Sequence, residues 1–112
     1  MGVAFKEEET MNQEGKKKLV EIKKVLKKNE TFLKEEFKVK EIGIFGSYVR
    51  GEQKKKSDLD ILVEFRKPIG LFEFMDMEEY LAKILGIKVD LVSKKALKPR
   101  IGKHILEEVI YI

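Results

Sequence analysis

The apolar run Ile61–Val63 constrains the fold most, because consecutive large aliphatic residues of this kind favour a buried strand. The run belongs to the segment LDILVEF, residues 59–65, which follows a polar loop and precedes Pro68 and Gly70. A buried strand requires neighbouring strands and a covering layer, which helices can supply. The rest of the chain must therefore supply both.

Periodic patterns along the chain predict these elements. Helical spacing of apolar residues predicts four helices, over residues 16–28, 32–37, 71–85 and 99–108. Runs of β-prone residues predict three strands, over residues 40–45, 59–65 and 87–93. Strands and helices alternate, which predicts an α+β fold: a small mixed sheet flanked by helices.

One predicted helix carries both a core-facing stripe and a candidate docking surface. Phe72 and Met75 lie off the stripe and could form an exposed apolar patch for a partner protein, although a wide core stripe explains them as well. The stripe itself follows helical spacing and consists of Leu71, Phe74, Met77, Leu81 and Ile84.

Length and composition limit the class of protein. The 112 residues suit a single domain over 1–112, with residues 1–14 as an irregular lead-in. The absence of cysteine excludes disulfides, a thiolate nucleophile and a zinc site of the usual sulfur type. No apolar stretch approaches the ~20 residues that cross a membrane, and no signal peptide is visible, so we expect a cytoplasmic protein. The net charge of +4 is the small difference between 24 basic and 20 acidic residues, and we do not expect direct nucleic-acid binding.

Two aspartates stand at the start of the buried strand. Side chains two apart on a strand share a face, so Asp58 and Asp60 project together. At a separation of about 5 Å and an effective dielectric constant of about 20, their repulsion is roughly 3 kcal/mol. Asp90 would join them if its strand lies alongside, and three carboxylates at strand edges are oxygen ligands for a hard dication such as Mg²⁺. Acidic residues also occur at the starts and ends of strands without any function. An isolated Asp-x-Asp motif does not distinguish such residues from a metal site.

The residues before the acid pair are typical of a phosphate-binding turn. Gly46 allows a backbone to approach a ligand closely, and Ser47 can cap the next helical turn and offer its hydroxyl and N–H to a phosphate. Arg50 lies in the following loop and is a candidate ligand of a triphosphate, whereas Lys54–Lys56 are typical of a solvated loop. A phosphate-binding turn next to paired carboxylates is more specific than either alone.

These residues resemble a known signature. Gly46 and Ser47, the ten residues Tyr48–Ser57, and then Asp58-Leu59-Asp60 resemble the Gly-Ser, spacer, Asp-x-Asp signature of the DNA polymerase beta superfamily of nucleotidyltransferases. The segments FGSYVRGEQKKKSDLDILVEF and KVDLVSKKALKPRIGKHILEEVIYI more particularly resemble minimal nucleotidyltransferase (MNT) domains, over residues 19–112.

The resemblance implies a DNA polymerase beta-like fold and roles for individual residues. Asp58 and Asp60 would bind metal, Asp90 would be the third carboxylate, and Gly46 with Ser47 would hold the nucleotide phosphates. Two Mg²⁺ ions are implied, with Mn²⁺ as a substitute. His104 and Tyr48 are expected to be surface or packing residues and not catalysts.

The resemblance also implies a partner. MNT proteins are typically antitoxins of HEPN ribonuclease toxins, and as a class they transfer AMP from ATP to a tyrosine hydroxyl of the toxin. A chain of 112 residues lacks a separate acceptor-binding lobe, which favours a protein acceptor and a hetero-oligomer with the toxin. Two alternatives stay open: an antitoxin that neutralises its partner by binding alone, and a basic module that binds RNA independently of metal.

Overall fold

The structure is a computed structural model and describes residues 19–112. The predicted lead-in, residues 1–14, and the first residues of the helix predicted from Lys16 lie outside the described residues. The helices are α1 (Leu19–Lys28), α2 (Glu30–Glu36), α3 (Ser47–Arg50), α4 (Leu71–Leu85) and α5 (Pro99–Glu108). The strands are β1 (Val39–Phe45), β2 (Leu59–Phe65), β3 (Val89–Ser93) and β4 (Ile110–Tyr111), and a single 3₁₀ turn covers Lys94–Ala96.

The four strands form one mixed sheet in the order β3-β2-β1-β4. Strand β2 runs parallel to β3 and antiparallel to β1, and β1 is also antiparallel to β4. Strand β2 is central, and Ile61, Leu62 and Val63 are at most 1% exposed. The α+β fold with a mixed sheet, and the buried strand from which it was predicted, are both confirmed.

Helices α1 and α4 pack their apolar faces into the core. Ile22 and Leu26 of α1 are fully buried, as are Met77, Leu81 and Leu85 of α4. None of the helices in the described part of the chain combines the length and the apolar character needed to cross a bilayer.

The first turn of α4 departs from the predicted stripe. Leu71 was predicted to face the core but is 70% exposed. It is the first residue of α4, and the fully buried positions of this helix begin more than a turn later, at Met77. Phe72 and Met75 are 79% and 51% exposed, so the three residues form an exposed apolar surface at the start of α4.

Helix α2 begins at Glu30, two residues earlier than predicted, and only Asn29 separates it from α1. The Asn29 side-chain amide donates a hydrogen bond to the Val25 carbonyl (2.8 Å), and its amide oxygen accepts one from the Tyr80 hydroxyl (3.0 Å). These bonds give the Asn29 side chain two hydrogen-bond partners and attach the break between the two helices to α4.

Strand β4 was not predicted, since two residues are too few to show a strand pattern. It pairs with β1 at Gly43, where a Cβ atom would lie 2.6 Å from the Val109 side chain and 3.0 Å from the Ile110 carbonyl. Only glycine permits this approach. The pairing of β4 with β1 holds the segment after α5 against the sheet, and it thereby fixes the end of α5 beside the last residues of β1.

Candidate active site

The sheet brings the predicted acidic residues together. Asp60 lies opposite Asp90 in the parallel β2–β3 pair and opposite Phe45 in the β1–β2 pair, and Asp58 immediately precedes β2. The pKa of Asp60 is raised from 3.8 to about 6, most of all by partial burial and then by the charges of Asp90 and Asp58. The three carboxylates therefore interact, as the strand pattern predicted.

Gly46 touches this cluster from the neighbouring strand. Its φ of +84° and ψ of −154° lie in a region that is essentially restricted to glycine. A Cβ atom there would overlap the carboxylate of Asp60, whose Cγ would be only 3.0 Å away. The turn over residues 46–50, called the Gly46 turn below, therefore lies directly against the acid-bearing strand.

Ser47 begins helix α3 and does not cap it, so the predicted capping role of Ser47 is wrong. The cap position belongs to Gly46, whose carbonyl accepts hydrogen bonds from the N–H groups of Val49 (3.0 Å) and Arg50 (3.2 Å). Glycine takes this place because the backbone there has a positive φ, which serine adopts only with strain. Ser47 is half-buried, and the helix that it begins packs against β2.

Arg50 is held by two carboxylates. Its Nε donates to Oε1 of Glu52 and its Nη1 donates to Oε1 of Glu108, both at 2.8 Å. The second carboxylate oxygen of Glu108 accepts a hydrogen bond from the Gly46 N–H at 2.7 Å. Burial by itself would raise the pKa of Glu108, but the bonds from Arg50 and Gly46 outweigh it and the pKa is lowered.

Sequence analysis missed Glu108. It is the last residue of α5 and lies 62 positions from Gly46, so no local spacing connects the two. A glutamate near the end of an amphipathic helix is typical of a solvated face. Only the pinning of α5 to the sheet by β4 brings this carboxylate to the Gly46 turn.

A cleft of about 670 Å³ opens between the Gly46 turn, Asp60 and helix α5. Ile101 and His104 lie on its α5 side. His104 is exposed, in agreement with its expected place at the surface, and Tyr48 is 4% exposed within the core, in agreement with a packing role. The predicted solvated character of the loop lysines 54–56 is matched by their exposure.

The donor set suits a hard dication, although it is not assembled as a complete metal-ligand cluster. Within residues 19–112 no three acidic or imidazole groups are close enough together to form such a cluster. Asp60 and Asp90 lie opposite each other in the β2–β3 pair, and the charges of Asp90 and Asp58 both act on Asp60. Carboxylate oxygens that repel one another are ligands that a bound cation would draw together, so the residues fit Mg²⁺.

Comparison with known proteins identifies the family. A family model described as a nucleotidyltransferase domain matches residues 26–112, which include the Gly46 turn and all three aspartates. The chain belongs to the nucleotidyltransferase domain family. It is thus an enzyme of the nucleotidyltransferase class, and the predicted membership of the minimal nucleotidyltransferases is confirmed.

Named relatives extend this comparison. The protein adenylyltransferase MntA of Thermococcus cleftensis is 51% identical over 94 residues, which cover 84% of this chain and 95% of the relative. A crystal structure of a toxin–antitoxin with AMP-PNP is similar with a TM-score of 0.65 and 26% identity, over 76% of this chain and 69% of that one. A structure of tri-AMPylated Shewanella oneidensis HEPN toxin in complex with MNT antitoxin has a TM-score of 0.61 over 80% of this chain and 70% of that one, and its 21% identity shows the shared fold alone.

Proposed function

We propose that this nucleotidyltransferase is an antitoxin that transfers AMP from ATP to a tyrosine hydroxyl of a HEPN ribonuclease toxin and thereby neutralises it. The contact of the Gly46 turn with the carboxylate of Asp60 carries the proposal, because it joins a phosphate-binding backbone to a metal-binding face. The relatives support the choice of acceptor. One is named a protein adenylyltransferase, and similar folds occur in toxin–antitoxin structures with AMP-PNP and with an AMPylated HEPN toxin.

Each site residue has an assigned role in this reaction. The Gly46 N–H and the Ser47 hydroxyl donate hydrogen bonds to phosphate oxygens, and the guanidinium of Arg50 pairs with the triphosphate. Asp58, Asp60 and Asp90 would hold Mg²⁺, with two ions expected and Mn²⁺ as a substitute. Bound there, the ions would neutralise the triphosphate and lower the pKa of the attacking hydroxyl.

Asp90 is assigned to assist removal of the proton, since it is the exposed member of the cluster and is therefore accessible to an acceptor. The acceptor oxygen forms a bond to the α-phosphorus, and the bond from that phosphorus to pyrophosphate breaks. Asp60 supports this chemistry in its charged form, which predominates above its pKa of about 6.

A protein acceptor suits the surroundings of the cleft. Ile101 lines the cleft and is 58% exposed, so an apolar side chain is in contact with water in the same cleft as Asp60. A docked protein would cover it while holding its tyrosine oxygen about 3–3.5 Å from the α-phosphorus, as in-line attack requires. We expect the toxin to complete the acceptor side of the site in a hetero-oligomer.

Neutralisation by binding alone is the second candidate. The exposed surface of Leu71, Phe72 and Met75 supports it, because a contiguous apolar surface is typical of a protein contact. This candidate predicts neutralisation without any change in the mass of the toxin.

Intact mass spectrometry combined with a ribonuclease assay distinguishes the two candidate functions. The protein is incubated with Mg-ATP alone, with an aminoglycoside, and with a HEPN toxin encoded beside it. We expect the toxin mass to rise by one or more AMP units as its ribonuclease activity falls. Asp58→Asn should abolish both effects, and Asp76→Asn, an equal charge change at an exposed position of α4, should abolish neither. A silenced toxin of unchanged mass would establish the binding-only antitoxin, and efficient modification of the aminoglycoside would refute the protein acceptor.

A further inference from the structure

The carboxylate of Glu108 occupies the donors that the proposed function assigns to the nucleotide phosphates. Its Oε2 accepts the Gly46 N–H at 2.7 Å, and its Oε1 accepts Nη1 of Arg50 at 2.8 Å. A backbone N–H and a guanidinium that converge on two oxygens of one anion form a typical phosphate-binding arrangement. Glu108 therefore presents the same kind of oxygen pair to these donors as a phosphate would.

We propose that Glu108 competes with the triphosphate for Gly46 and Arg50 and thereby sets the affinity of the site for nucleotide. The inference rests on the proposed function only in placing nucleotide phosphates at the Gly46 turn. The Gly46 N–H has a single hydrogen, so it cannot make a strong bond to Glu108 and to a phosphate at once. A carboxylate left beside the bound triphosphate would also repel it.

The position of Glu108 permits this exchange. Its backbone is fixed, because α5 ends at Glu108 and the next residues pair with β1 at Gly43. Its side chain is 23% exposed, so it can turn towards solvent without disturbing the core. Displacement by a nucleotide therefore needs a change of side-chain rotamer and no movement of the helix.

A positioning role for Glu108 makes the opposite prediction. If Glu108 served to orient Arg50 for the phosphates, its substitution would weaken nucleotide binding. Arg50 is also held by Glu52 at 2.8 Å, so the guanidinium keeps one carboxylate partner when Glu108 is changed. The sign of the change in affinity thus distinguishes a competing residue from a positioning residue.

Glu108→Gln tests the inference by isothermal titration calorimetry with AMP-PNP and Mg²⁺ on the full chain without a partner. Glutamine keeps the volume of the side chain and an oxygen for the Gly46 N–H, but it loses the negative charge that binds Arg50. We expect the Kd to fall about threefold to tenfold, the order of magnitude expected for losing a charge-assisted contact that is partly exposed. Glu108→Asp keeps the charge but retracts it by one methylene, and we expect it also to lower the Kd.

Glu107→Gln is the matched control, because it makes the same charge change at the adjacent, exposed position of α5. It should leave the Kd unchanged. A Kd for Glu108→Gln that is unchanged or raised overturns the inference, and so does an equal fall in Glu107→Gln, which would indicate a general effect of net charge. Failure of the inference can be distinguished from failure of the proposed function, because AMP-PNP binding is measured without any toxin. If the unaltered protein and all variants fail to bind AMP-PNP, both the inference and the nucleotide site are refuted.

Discussion

Replacing Asp60 with asparagine should stabilise the metal-free protein at pH 8 while abolishing nucleotidyl transfer. Asp60 is the carboxylate on which the charges of Asp58 and Asp90 converge. Asparagine has nearly the same shape, can donate a hydrogen bond to Asp90, and carries no charge. The substitution thus removes both the cost of burying a charge and the repulsion, and it keeps the packing.

The pKa of Asp60 sets the size of the effect. A rise from 3.8 to about 6 corresponds to at most ~3 kcal/mol, at 1.36 kcal/mol for each unit. Asp60 is only partly buried, so solvent screening reduces this to about 1–2 kcal/mol. A gain of that size should raise the Tm by about 4–10 °C in a domain of roughly 100 residues.

The dependence on pH gives the prediction its sign. Because the folded protein binds the Asp60 proton more tightly than the unfolded chain, charging Asp60 destabilises the fold as the pH rises from about 4 to about 6. The stability gained by Asp60→Asn should be full above pH 6 and should shrink towards zero as the pH falls to about 4.

Thermal unfolding in the presence of a chelator, over a series of pH values, provides the measurement. Asp76→Asn serves as the control, since it removes an exposed acid from α4, and it should leave the Tm nearly unchanged. A lower Tm for Asp60→Asn at pH 8 would mean that Asp60 stabilises the fold. A gain of equal size at pH 4 and pH 8 would refute the charge of Asp60 as its cause.

The remaining predictions concern the metal and the glycines. Mg²⁺ or Mn²⁺ should bind weakly alone and more tightly with ATP in calorimetric titrations, because the triphosphate supplies further oxygen ligands; ATP affinity that a chelator does not change would exclude Asp58, Asp60 and Asp90 as metal ligands. Gly46→Ala should cost about 2–4 kcal/mol in urea unfolding, because its Cβ would overlap Asp60 at a positive φ. Gly51 also has a positive φ, +73°, but a Cβ atom there would have no neighbour within 4 Å, so Gly51→Ala should cost only about 1 kcal/mol. Equal losses of stability in the two variants would contradict the steric explanation.

The regular elements could be predicted where the chain carries strong local signals. Helix α5 begins at Pro99 and ends at Glu108 as predicted, because proline suits the first turn of a helix and the apolar residues keep helical spacing. Strand β2 has the predicted bounds, because an apolar run lies between polar segments. The Gly46 turn and the acid pair could be identified as candidate site residues because their spacing is short and contiguous in sequence.

Contacts between distant segments could not be predicted in this way. The bond from Gly46 to Glu108 depends on the end of α5, on β4 and on the absence of a side chain at Gly43. Each of these features is ordinary on its own. Their combination exists only after the sheet has formed, so a single sequence contains no local pattern that identifies Glu108.

The position of the acid cluster follows from the apolar core. Val89 and Leu91 are 6% and 5% exposed, and the residue between them, Asp90, is exposed on the other face of β3. A slip of one residue in the β2–β3 pair would turn Asp90 inwards and these two apolar side chains outwards. Burying two such side chains stabilises the fold by about 3–6 kcal/mol, which exceeds the ~1–2 kcal/mol expected as the cost of charging Asp60 in the folded protein.

The outer edge of β3 is held as well, because the Leu91 N–H donates to the Glu78 carboxylate at 2.8 Å. That contact ties β3 to α4 on the side where no further strand of residues 19–112 pairs with it. The strand is thus fixed from the core, from β2 and from α4. Apolar packing and one hydrogen bond therefore outweigh the cost of charging Asp60, and we expect the strands of the site to assemble without metal.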